Sequence, residues 1–223
     1  MGRKKIGVIG TGRIGKLHIQ NIISQIPDLQ IVAVADIAIE DNRKWLESIG
    51  ISELYVDYRD VLSKPEVDAV IIASATDTHT PIAVDAAIAG KHIFCEKPID
   101  RTIENNEKVM KAVQDAGVLF QTGFNRRFDH NFARIRQLVA DGSVGDVQII
   151  RVTSRDPAPP PIEYVKVSGG LFMDMMIHDF DMVRYVSGSE VKRVTALGAN
   201  LVDPRIGEVG DVDTAVVALE LEN

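Results

Sequence analysis

Along the first half of the chain, short unbroken apolar runs alternate with stretches of helical spacing. Residues 6–9 form one such run, ending in glycine. Ile14, Leu17, Ile22 and Ile26 then recur at helical spacing and predict a helix that Pro27-Asp28 breaks. Residues 31–35 read as a buried-type strand ending at Asp36, and 41–49 as a helix. A third apolar run covers 69–73, and a helix over 81–89 closes at Gly90. Residues 92–95 and 118–121 read as further strands, separated by a helix over 102–116 that Gly117 closes. Strands alternating with helices imply βαβ units and a parallel sheet. Runs of Val and Ile without polar alternation imply strands covered on both faces. The expected fold of this half is α/β, a doubly wound parallel sheet.

The pattern changes near Phe124. A helix is predicted over 132–139, a strand over 147–153, and a proline-rich loop over 157–161. A helix over 171–186 follows, then strands over 191–201 and 212–221. In the last strand Ala215, Val217, Leu219 and Leu221 fall on one face. This is α+β character, with a largely antiparallel sheet covered on one side. The expected domains are 1–123 and 124–223. No internal repeat interrupts either.

Composition narrows the function classes. Apolar residues make up 45% of the chain, enough for a real core. A formal net charge of -7 argues against a nucleic-acid partner, which would favour a basic surface. The one cysteine, Cys95, permits no intrachain disulfide and fits a reducing compartment. The basic start at Arg3-Lys4-Lys5 leads into a run too short and glycine-rich for a signal peptide, and no run approaches a membrane span. A cytoplasmic protein is the expectation, with no membrane partner.

Gly10-Thr11-Gly12-Arg13-Ile14-Gly15 matches G-x-G-x-x-G after a predicted strand and at the start of a predicted helix, with Asp36 ending the next strand. That context completes the dinucleotide-binding Rossmann fingerprint. Gly10 permits the tight turn, Gly12 lets backbone approach a pyrophosphate, and Gly15 lets helix and strand pack closely. Asp36 is expected to accept hydrogen bonds from the adenosine ribose hydroxyls. A carboxylate there repels a 2′-phosphate, and no Arg or Lys follows until Arg43, so NAD is favoured over NADP. The bland alternatives are a glycine turn that binds nothing and an exposed strand-end aspartate.

Three further features carry candidate chemistry. Glu96-Lys97-Pro98 follows the strand over 92–95, at the sheet edge where α/β proteins bind ligands. Asp174 and His178 are four apart on one predicted helix, a carboxylate beside an imidazole, as a general base requires. An ordinary helical i,i+4 pair has the same spacing. Asp179 beside them raises a metal site, but no cysteine or second histidine has ligand spacing, so no metal is expected. Asn125-Arg126-Arg127, between Phe124 and Phe128, is either a ligand-facing pair of arginines or a solvated one.

Together these motifs resemble the glucose–fructose oxidoreductase / inositol dehydrogenase / rhizopine catabolism (Gfo/Idh/MocA) family over essentially the whole chain. The general signs are Gly10-x-Gly12-x-x-Gly15, Glu96-Lys97-Pro98 and Asp174-x-x-x-His178. Ser154-Arg155-Asp156-Pro157 and Ser168-Gly169-Gly170-Leu171-Phe172, running on to His178-Asp179, look like the inositol 2-dehydrogenases within it. The resemblance implies hydride transfer from a cyclic polyol, myo-inositol giving 2-keto-inositol, to NAD. Lys97 would contact the substrate hydroxyl and the nicotinamide ribose, His178 would take the hydroxyl proton, and Asp174 would bind substrate and tune His178. Asn125, Arg126 and Asp156 would meet ring hydroxyls. Thr76, His79 and Glu96 would lie by the cofactor. Another sugar dehydrogenase, an NAD-dependent glycosidase and a non-catalytic NAD-binding fragment remain alternatives. Family members continue past Asn223 and often assemble as tetramers through the second sheet. The expectation is a shortened form of a longer, homotetrameric dehydrogenase.

Overall fold

The computed structural model describes residues 2–223. The chain divides into two compact units, Met1–Gly123 and Phe124–Asn223.

The first unit is a six-stranded parallel sheet in the order β3-β2-β1-β4-β5-β6. The strands are β1 (Lys4–Ile9), β2 (Leu29–Ala35), β3 (Leu54–Tyr55), β4 (Ala69–Ile72), β5 (His92–Cys95) and β6 (Phe120–Thr122). Between them run α1 (Arg13–Gln25), α2 (Ile39–Ser48), α3 (Tyr58–Leu62), α4 (Thr76–Ile88) and α5 (Ile103–Ala116). Strand order reverses between β1 and β4, the switch point at which such sheets hold ligands beyond their carboxyl ends. Alternation along β1 sends Ile6 and Val8 into one core with Ile19, Ile22 and Leu46, and Ile9 into the other with Ile72, Ala83 and Val109. Ile19, Leu46 and Ile72 are fully buried, each worth roughly 1.5–3 kcal/mol over leaving it exposed.

One local signal misleads in this unit. Pro81 suggested that α4 begins there, yet the helix starts at Thr76 and carries Pro81 inside it. So early in a helix the missing N–H deprives only the Asp77 carbonyl of its partner. The short β3 and α3 carry too few residues to show a period, although Asp57 caps α3 by accepting the Arg59 amide at 2.9 Å.

The second unit opens with a 3₁₀ turn, Asn125–Phe128, followed by α6 (His130–Ala140), which Asp129 caps through the amides of Asn131 and Phe132. Then come α7 (Ile162–Ser168), a π-helical turn at Phe172–Met176, α8 (Ile177–Ser187), β7 (Val191–Ala199), α9 (Pro204–Glu208) and β8 (Thr214–Leu221). β7 and β8 pair antiparallel, with Val194 opposite Leu219 and Ala196 opposite Val217. Ala215, Val217, Leu219 and Leu221 are half-buried on the expected face of β8.

The strand predicted over 147–153 does not form. These residues are irregular and mostly exposed, Ile149 at 88%. The β-branched residues Val147, Ile149, Ile150, Val152 and Thr153 favour a strand, but a strand also needs a neighbour for its backbone groups. Among the described residues this unit's ladder holds β7 and β8 alone.

Candidate functional site

Gly10 stands where β1 gives way to the turn before α1. Its φ of 99° is open to glycine, and a Cβ there would sit 2.5 Å from the Ala73 carbonyl carbon. A Cβ on Gly15 would overlap the Gly10 carbonyl oxygen, so the helix start lies directly on the turn. A Cβ on Gly12 would meet nothing within 4 Å. Gly12 is also the N-cap of α1 and offers no side-chain acceptor, leaving the amides of Arg13, Ile14 and Gly15 to point past an open surface. A backbone that a pyrophosphate can approach, at an uncapped helix start, fits a dinucleotide.

Asp36 follows directly on β2 and is tied to the same turn. Its Oδ2 accepts the Thr11 amide at 2.5 Å and the Thr11 hydroxyl at 2.8 Å, while Oδ1 accepts the Ala38 amide at 2.8 Å. Sequence spacing alone placed Asp36 near the turn; the structure makes it part of the turn.

The segment after β5 is fixed from two sides. Glu96 Oε1 lies 2.7 Å from His18 Nε2 on α1, and a Cβ on Gly123 would come 2.9 Å from Glu96 Oε2. The Lys97–Pro98 peptide is cis and Lys97 is half-buried. His79, only 1% exposed, lies between two backbone carbonyls, with Nδ1 2.8 Å from Pro98 O and Nε2 3.1 Å from Ser74 O. Its neighbour Thr80 donates to Asp100 Oδ2 at 2.7 Å, and Asp100 Oδ1 takes the Thr102 amide and hydroxyl. Burial pushes the Asp100 carboxyl up, but hydrogen bonds from Thr80, Thr102 and Asn105 outweigh it and bring it down to about 2. Consecutive residues of α4 thus hold the loop that carries Lys97. Thr76 is the first residue of the same helix. Burial, then the charge of Glu96, pushes the Cys95 thiol up to about 12, so it stays protonated and inert.

In the second unit Asp174 lies within the π turn and His178 in the first turn of α8, so the helix expected over 171–186 is not uniform. Tyr164 on α7 donates to Asp174 Oδ1 at 3.0 Å. The Phe124 ring meets His178 edge-on at 6.3 Å. Asp211 accepts the Leu171 amide with both oxygens, at 3.2 and 3.0 Å, at the entry to this helix. Gly169 and Gly170 both have positive φ, and a Cβ on Gly170 would be 2.6 Å from Asp211 Oδ1. The Gly-Gly pair is therefore a backbone requirement of the join between α7 and the π turn.

Arg126 donates to Asp179 Oδ1 at 2.6 Å, and the Ser154 hydroxyl meets the same oxygen at 2.6 Å. Arg127 grips Asp181 with two nitrogens. The arginine pair thus ties the 3₁₀ turn to α8, and Arg126 keeps further N–H groups beyond the one given to Asp179. Asn125 and Asp156 are exposed. His18, Tyr164 and Asp211 were not singled out from sequence, because each partner is distant and no local motif announces it. Among the described residues no group of three or more His, Cys, Asp or Glu could hold a metal ion. No helix of the described residues is long and apolar enough to cross a membrane.

Comparison with known proteins supplies the context for this geometry. Residues 4–124 match the model of an oxidoreductase family with an NAD-binding Rossmann fold, and 132–223 match the GFO/IDH/MocA C-terminal domain. An uncharacterised oxidoreductase of Bacillus subtilis is 51% identical over 97% of this chain and 63% of its own length. A myo-inositol 2-dehydrogenase of Thermotoga maritima is 45% identical over 98% of this chain and 65% of its own. The chain thus spans a little under two thirds of these curated relatives. The crystal structure of a scyllo-inositol dehydrogenase from Lactobacillus casei, with NAD(H) and scyllo-inositol bound, superposes with a TM-score of 0.90 at 35% identity, covering 99% of this chain and 66% of that one. The chain belongs to the Gfo/Idh/MocA oxidoreductase family.

Proposed function

We propose that this protein is an NAD-dependent dehydrogenase that oxidises a secondary alcohol of a cyclic polyol, myo-inositol giving 2-keto-inositol. The observation that carries the reading is the Gly10–Gly15 turn locked to the Asp36 carboxylate, with open space over Gly12. Relatives named for myo- and scyllo-inositol support the substrate class.

In this reading the turn of Gly10, Thr11, Gly12, Arg13, Ile14 and Gly15 holds the pyrophosphate against its free backbone amides, and Asp36 accepts from the adenosine ribose. NAD, when bound, supplies the hydride acceptor. Lys97 places a positive charge by the substrate oxygen, where negative charge grows as the proton leaves. His178 accepts that proton at a ring nitrogen. Asp174, steadied by Tyr164, binds the substrate and orients His178. Asn125, Arg126 and Asp156 meet ring hydroxyls, for which charged and amide groups are suited. Thr76 lies beside the cofactor with Glu96, and His79 acts there through Pro98. A homotetramer that covers the exposed Leu197 and Val216, and a cytoplasmic location, belong to the same proposal; light scattering checks the assembly.

The test is NADH formation with myo-inositol, scyllo-inositol and a panel of sugars, using NAD and then NADP. The expected result is NAD-dependent turnover of myo-inositol that His178→Ala abolishes. Full turnover by His178→Ala would remove it as the base. Aglycone release from a glycoside without net NADH would replace the dehydrogenase by a glycosidase.

A further inference from the structure

Asp36 is held by more than its position. Asn42, on the second turn of α2, donates from Nδ2 to Thr11 Oγ1 at 2.8 Å. A threonine hydroxyl has one proton, and a carboxylate only accepts. With Asn42 as donor on one side, that proton goes to Asp36 Oδ2 at 2.8 Å. The Thr11 amide reaches the same oxygen at 2.5 Å, which fills both of its acceptor positions. The Ala38 amide takes one position on Oδ1. Thr11, at the middle of this chain of donors, is 2% exposed, and Asn42 and Asp36 are half-buried. Arg43, the first basic residue after Asp36, is drawn aside by Glu40 at 2.7 and 2.6 Å and lies 3.5 Å from Glu47.

We propose that the Asn42–Thr11 relay sets the selectivity for NAD over NADP by immobilising the Asp36 carboxylate, with one Oδ1 acceptor position left for a ribose hydroxyl. The proposal rests on reading the Gly10–Gly15 turn as an NAD site. A free carboxylate at a strand end can rotate away from a 2′-phosphate and soften the repulsion. Here rotation breaks three hydrogen bonds to a charged group, which are stronger than neutral ones. The bound diol meets an acceptor already in place. The 2′-phosphate meets a negative charge that cannot withdraw, and Arg43 is already paired with two glutamates. Asn42 and Thr11 therefore act as positioning residues for Asp36.

The test is calorimetric binding of NAD and of NADP to the parent protein and to Asn42→Ala, Thr11→Val and Thr11→Ser. The parent is expected to prefer NAD. Asn42→Ala and Thr11→Val are expected to cut the NADP-to-NAD ratio of Kd values by roughly tenfold, as loss of one hydrogen bond to a charged network implies. Thr11→Ser keeps the hydroxyl and is expected to keep the ratio. General damage weakens both ligands together, whereas loosening of Asp36 moves the two affinities apart. Variants that bind NAD with the parent's ratio overturn the relay and leave the cofactor reading standing. A parent that binds neither nucleotide, or prefers NADP, overturns the cofactor reading and the relay with it.

Discussion

Asp100→Asn isolates the clamp between α4 and the loop after Lys97, because its effect carries a pH signature. Asp100 is 9% exposed and accepts from Thr80, the Thr102 amide and the Thr102 hydroxyl. Its carboxyl is lowered from 3.8 to about 2. A folded-state value below the unfolded one stabilises the protein above the unfolded value and is lost as pH falls through the folded one. The shift corresponds to about 2 kcal/mol at pH 7, of which roughly half remains at pH 3. The amide keeps one oxygen for Thr102, but it turns an NH₂ toward Thr80, whose hydroxyl must then accept. Asp100→Asn is therefore expected to cost about 2 kcal/mol at neutral pH and progressively less below pH 4. Urea unfolding of both proteins at pH 7, 5, 4 and 3 measures the difference. A penalty that stays constant down to pH 3 would refute the assignment, since a purely steric defect does not titrate.

Other perturbations probe the remaining contacts. Gly15→Ala forces a methyl into the Gly10 carbonyl; a loss of about 1–3 kcal/mol is expected, together with weaker NAD binding, and unchanged NAD affinity in calorimetry would contradict the packing argument. His79→Leu removes the donor beside Pro98 O and Ser74 O and should cost about 1–3 kcal/mol in urea unfolding. His79→Asn carries an amide nitrogen near the place of Nδ1 and should recover part of that loss; equal stability of the two variants would show that the hydrogen bond is not what matters. Tyr164→Phe removes the bond to Asp174 Oδ1 and should lower kcat for polyol oxidation by roughly 2- to 10-fold. The KM for NAD should stay where it was, so a change confined to that KM would refute the role given to Tyr164.

Legibility in the sequence followed the range over which each constraint acts. The strands β1, β2, β4 and β5 are visible because a strand covered on both faces must be apolar at every position, which is a local demand. The Gly10–Gly15 turn is visible for the same reason, since φ at Gly10 and the contact between Gly15 and Gly10 are fixed within a few residues. The run over 147–153 misled because β-branched composition is local while pairing is not. His18 reaches Glu96 across 78 positions and Leu171 reaches Asp211 across 40, and neither side chain betrays its partner.

The Asp174–His178 pair shows how such a distant contact alters the meaning of a local spacing. In a uniform α-helix, at roughly 100° per residue, positions four apart lie about 40° apart around the axis. The π turn at Phe172–Met176 closes i→i+5 hydrogen bonds and widens the helix, so the angle between the two side chains depends on the bulge and not on the spacing alone. Asp211 grips the entry to that bulge at Leu171, and Gly170 must lack a side chain for it to do so. Tyr164 then holds Asp174 from the preceding helix. The i,i+4 motif names the two residues, but their mutual orientation is set by a carboxylate 40 positions downstream of Leu171 and a phenol ten positions upstream of Asp174.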